Sequence, residues 1–146
     1  MMEAANITGK AINISQTTSA HAWSYAITSH YGVPHGHAVW LTLPQIFEMH
    51  ATASADVVTD PRGEDHLNFI MTRLMNVLGI VSPEDSARHL KSYLNMIDVE
   101  SDMAGIGAKT AKQREFLSKQ VNMQRTSNNP VGLKQAHINR IFDLES

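Results

Sequence analysis

His21 and His35 stand fourteen residues apart in the stretch SAHAWSYAITSHYGVPHGHAVWLTLP. An unprotonated imidazole nitrogen is a ligand for first-row divalent metals, and three histidines with one carboxylate suit Fe(II) or Zn(II). Two such ligands alone hold an ion weakly. His37 lies two residues beyond His35. On a helix it would project roughly 200° away from His35, and only in a strand or turn could both rings face one ion. Spacing alone leaves three arrangements open. The pair is half of a site completed by other polypeptide, or joins His37 in a self-contained three-His site, or belongs to a non-enzymatic helical interaction domain whose histidines pack and cap.

The elements that must position these rings read as helices. A first is expected over about Glu3 to Ile14, with Ala4, Ala5, Ala11 and Ile12 available for burial. A second runs from about Thr17 to Tyr31, carries His21 in its first turns, and stops where Gly32 can turn left-handed before Val33-Pro34. Helix restarts around Gly36 and continues through AVWLTLPQIFEMHA, with Pro44 kinking or breaking it. SADVVTDPRGE has the composition of an exposed loop. In DHLNFIMTRLMNVLG the residues Leu67, Ile70, Met71, Leu74 and Leu78 form a core stripe of period near 3.6, closed by Gly79. Ser82-Pro83-Glu84-Asp85 reads as a helix start with a Ser cap, leading into ARHLKSYLNMI. KTAKQREFLSKQVNM forms a further amphipathic helix, and Asn128-Asn129-Pro130 leads to a last one through KQAHINRIFDL. No strand pattern of useful length is present, so the fold class is all-α, one multi-helix domain over residues 1–146.

Composition narrows the function classes. With 42% apolar residues in 146, the chain can bury a core. A net charge of -2 without a basic block argues against nucleic acid or lipid as partners and favours small ligands or proteins. Cysteine is absent, which excludes disulfides and thiolate metal sites. No apolar run approaches the roughly 20 residues that span a bilayer, and no signal-peptide pattern opens the chain, so the expected address is the cytoplasm.

The surroundings of the histidine pair supply more than its spacing. Thr8-Gly9 precedes His21 by twelve residues, Pro34-His35-Gly36 follows it, and Leu43-Pro44 lies nine residues beyond His35. This pattern resembles the iron-containing alcohol dehydrogenases, most closely over about residues 8 to 45, and with Asn128-Asn129-Pro130 the resemblance reaches nearly the whole chain. GKAINISQTTSAHAWSY further resembles the branch of reductases acting on phosphonate-bearing aldehydes. The resemblance implies a C-terminal helical domain of the dehydroquinate-synthase-like type. It implies His21 and His35 as ligands of Fe(II) or Zn(II), with an Asp and a His earlier in the polypeptide completing the site. It also implies a partner N-terminal domain that binds NAD(P), a small alcohol or aldehyde as substrate, and an active site in the cleft between the domains. The 146 residues contain neither that dinucleotide-binding domain nor the other two ligands, so the chain reads as the C-terminal part of an oxidoreductase, inactive alone and prone to homo-oligomerise through an uncovered apolar face.

Two departures from the family pattern bear on the substrate. Many relatives carry a second histidine four residues after the first, where this chain has Tyr25, one helical turn beyond His21 and able to donate a hydrogen bond or shape the pocket. Thr28 replaces the usual small residue. Lys10 is a candidate anion contact, with a solvated side chain as the plainer reading. The other histidines receive structural roles: His30 touches its helix end, His50 and His66 face solvent, and His89 and His137 lie on amphipathic helices. Trp23 and Trp40 are read as core or interface residues.

Overall fold

A computed structural model describes residues 2–121 and 126–144. Eight helices are described: α1 Met2–Ile14, α2 Ser19–Tyr31, α3 His35–Trp40, α4 Leu43–Ala51, α5 Glu64–Leu78, α6 Ser86–Met96, α7 Ala111–Lys119 and α8 Gln135–Ile141. The all-α class is borne out: among the described residues the extended backbone contributes no strand, only an isolated antiparallel bridge between Val58 and Val131.

Glycine sets two helix ends as read from the sequence. Gly32 closes α2 at φ 69°, its N–H donating to the Thr28 carbonyl, and Gly79 closes α5 at φ 68°. Both angles are left-handed, where a side chain is strained. The apolar run after Pro34 is broken rather than kinked: α3 ends at Trp40, and Pro44 enters in the first turn of α4, where its missing N–H costs nothing. α7 opens on a capping box, Thr110 Oγ1 accepting from the Gln113 N–H at 3.2 Å while Gln113 Oε1 accepts from the Thr110 N–H at 2.9 Å. The stretch expected as helix to residue 123 ends at Lys119 in α7, and its last two residues lie outside the described ones.

Two apolar clusters form the core. One joins Trp23 and Ile27 of α2 to Leu41, Ile46, Leu117 and Phe142. Trp23 is fully buried, stands edge-on to Phe142 with ring centroids 5.2 Å apart, and donates its indole N–H to the Ser118 carbonyl at 3.1 Å. The other cluster packs Phe47 of α4 against Leu67, Met71, Leu90 and Val131, and Trp40 lies partly buried beside it.

Three expectations are corrected. α1 buries nothing: Ala4, Ala5, Ala11 and Ile12 are all exposed, because no described element lies over this helix. The α5 stripe is core only in part. Leu67 and Met71 are buried, whereas Ile70 and Leu74 line a groove of about 830 Å³ together with Leu43 and Phe47. Ser82 does not cap α6, since its hydroxyl donates to Glu84 Oε2 at 2.6 Å and a short 3-10 turn over Pro83–Asp85 precedes the helix.

Candidate metal half-site

α2 and α3 are joined by three residues and pack against each other. That hairpin brings His21, in the first turn of α2, to His35, the first residue of α3. His21 Nδ1 and His35 Nε2 stand 3.2 Å apart, with ring centroids at 5.2 Å. The rings sit at the open surface, His35 exposed and His21 half-buried. The 830 Å³ groove is lined by neither.

Beneath the rings lies Ser24, fully buried on α2. Its hydroxyl donates to the His21 carbonyl at 2.8 Å and stands 3.2 Å from His35 Nδ1. Tyr25 is 53% exposed, and its ring centroid lies 5.6 Å from that of His35. His21, Ser24, Tyr25 and His35 thus form one cluster. The start of α2 is held from the far end of the chain: Asn129 Oδ1 accepts from the Ser19 N–H at 3.1 Å, and Asn128 Nδ2 donates to the Thr17 carbonyl at 3.2 Å. Thr18 makes no side-chain cap of its own.

The pair fits a divalent ion. Metal–imidazole bonds run near 2.1 Å, so two nitrogens sharing one ion lie about 3.0–3.4 Å apart for bond angles between roughly 90° and 109°. The observed 3.2 Å falls in that interval. Among the described residues no group of three or more His, Asp or Glu could hold a metal. His37 is turned elsewhere, its Nε2 donating to the Glu100 carbonyl at 2.7 Å.

Residues 1–145 match the Fe-containing alcohol dehydrogenase family, C-terminal. The chain belongs to that family. Over 146 residues it is 28% identical to a phosphonoacetaldehyde reductase of Streptomyces viridochromogenes, covering 100% of this chain and 36% of that protein. No solved structure matches it. The iron-type dehydrogenase fold seen here is therefore the helical C-terminal part, and the chain spans about a third of its relative's length.

The remaining histidines fall into structural surroundings, with corrections at His50 and His66. His30 stands edge-on to Phe116, ring centroids 5.0 Å apart. His89 Nε2 lies 3.1 Å from both the Leu78 carbonyl and the Tyr93 hydroxyl. His137 Nδ1 accepts from the Lys134 N–H at 3.1 Å and so caps α8. His66, expected to face solvent, is instead half-buried at the groove, where it lies beside Leu67 and Asp60. His50, expected to face solvent, is half-buried with its Nε2 lacking any hydrogen-bond partner, and burial, with the neighbouring His137 charge, pushes its pKa down to about 4. Lys10 is exposed on α1.

Two contributions were not anticipated from the sequence: that of Ser24, and the hold on the start of α2 by Asn129, a residue marked there only as part of the lead-in to the last helix and of the resemblance. Ser24 carried a usable signal, being three residues after His21 and hence on its helical face. Asn129 did not: it lies 110 residues from Ser19.

Proposed function

We propose that this chain is the metal-binding, substrate-side part of an NAD(P)-dependent, divalent-metal-dependent alcohol dehydrogenase or aldehyde reductase, with His21 and His35 as two of the ligands. One observation carries the reading: residues fourteen apart, on two helices, present ring nitrogens 3.2 Å from each other at an open surface. The same distance also suits a hydrogen bond between the rings when one nitrogen keeps its proton, and the ion titration below separates the two.

Fe(II) or Zn(II) is the ion that this donor set fits, and when bound it supplies Lewis-acid polarisation of a carbonyl or alkoxide oxygen. The hydride partner is NAD(P), held by an N-terminal dinucleotide-binding domain packed on this face. The chain's own residues orient the reactants. His21 and His35 fix where the substrate oxygen sits. Tyr25, beside His35, shapes the substrate side of the pair and carries a phenolic O–H able to donate to that oxygen. The substrate is a small alcohol or aldehyde, and the relative's name puts phosphonate-bearing aldehydes first among those to assay. Self-association through the uncovered face follows from the same reading.

Calorimetric titration of the chain with Zn(II), and with Fe(II) under anaerobic conditions, tests the ligand assignment. Weak, saturable binding of one ion per chain is expected, lost in both His21→Ala and His35→Ala. Binding that survives both substitutions sinks the assignment, and tight binding by the wild-type chain sinks the half-site.

A further inference from the structure

Ser24 touches both histidines, and its single proton decides which form one of them takes. The Oγ–H is spent on the His21 carbonyl at 2.8 Å, a group that only accepts. Toward His35 Nδ1, at 3.2 Å, the hydroxyl can then offer only a lone pair. The contact is a hydrogen bond only when Nδ1 carries the ring proton. In the neutral ring that leaves Nε2 bare, and Nε2 is the atom that faces His21 Nδ1 at 3.2 Å. Ser24 is 0% exposed, so water does not compete for the position.

We propose that Ser24 is a positioning residue that accepts the Nδ1–H of His35 and thereby holds this ring in the tautomer whose Nε2 lone pair points at His21. Metal-ligating histidines commonly donate their second nitrogen to a carboxylate, a backbone carbonyl or water. Here a buried hydroxyl, already anchored on the backbone of the other ligand, takes that part. One side chain therefore couples the two rings: the turn that carries His21 also sets the protonation site of His35. The metal consequence rests on the ligand reading above, whereas the tautomer itself does not.

The test uses the 15N-labelled, metal-free chain at about pH 8, where imidazole is neutral. Two-bond 1H–15N correlations of the His35 ring, assigned by their loss in His35→Ala, report which nitrogen is protonated. The expected pattern is Nδ1–H in the wild type, a shift toward Nε2–H in Ser24→Ala, and recovery of the wild-type pattern in Ser24→Thr. Unchanged far-ultraviolet circular dichroism checks the fold, and alanine suits a helix interior. Zn(II) affinity should fall by about tenfold or more in Ser24→Ala, in the range typical of such supporting groups. A wild-type ring protonated on Nε2, or a tautomer indifferent to Ser24→Ala, overturns the proposal. A tautomer that responds in a chain whose Zn(II) binding survives both His21→Ala and His35→Ala upholds the role of Ser24 and sinks the metal reading instead.

Discussion

His50 shows how one side chain sets the acid limit of the fold. In the unfolded chain it takes up a proton near pH 6.5, whereas in the folded chain burial, and secondarily the charge of His137, delay protonation to about pH 4. Between those values the unfolded state binds more protons, so stability is full above about pH 6.5 and falls as pH drops toward 4. The displacement corresponds to a loss on the order of 3 kcal/mol. Urea midpoints measured at pH 7 and pH 4.5 should differ markedly in the wild type and much less in His50→Leu; equal acid sensitivity in the two would refute the assignment. The solvent-facing role expected for His50 came from its neighbours in sequence, the polar loop that follows. His50 lies in the groove among residues as distant in sequence as Asn129 and Pro130, and no local pattern carries that. The closeness of His21 and His35 has the opposite origin: Gly32, Pro34 and the two histidines lie within one short hairpin, where local sequence and local geometry coincide.

At the scale of elements, helix ends marked by glycine and the break near Pro44 were legible because backbone stereochemistry decides them residue by residue. Ends held by distant partners were not. The first turn of α2 depends on Asn129, which is 4% exposed and takes the Ser19 N–H that Thr18 leaves unsatisfied. Asn129→Ala should therefore cost about 1–2 kcal/mol in chemical denaturation. It should also weaken Zn(II) binding, because the frayed turn is the one carrying His21. A stability loss with metal affinity unchanged would separate the cap from the site. A second long-range tie, between Arg140 of α8 and the buried Glu48 of α4, forms an ion pair across elements 92 residues apart. Removing the arginine by Arg140→Ala strands a carboxylate that is 5% exposed, with an expected loss on the order of 2 kcal/mol in the same assay.

Over the whole molecule, burial is uneven. α1 contributes no buried residue, yet Ala4, Ile7, Ala11 and Ile14 recur at spacings of three, four and three, a helical stripe facing nothing among the described residues. A 13-residue helix without tertiary support is marginal in water. Backbone amides of α1 should then exchange with solvent far faster than those of α2. The double substitution Ile7→Glu with Ile14→Glu should leave the unfolding free energy within about 0.5 kcal/mol while reducing any self-association seen by sedimentation. Slow exchange in α1, or a large loss of stability, would mean that this helix is packed. Elsewhere the chain closes on itself over a long span. Thr59 and Asp60 donate to the Pro130 carbonyl at 2.9 and 3.2 Å, and Gly132 donates to the Val57 carbonyl at 2.8 Å. Val131, which this crossing seats, is fully buried against the α4–α5 cluster. During synthesis the chain emerges from its N-terminus, so α4, α5 and α6 leave the ribosome with that cluster still lacking its last apolar member. The crossing therefore lets the second core close only once the chain has been made as far as Val131, a non-local step that comes after the local pairing of α2 with α3.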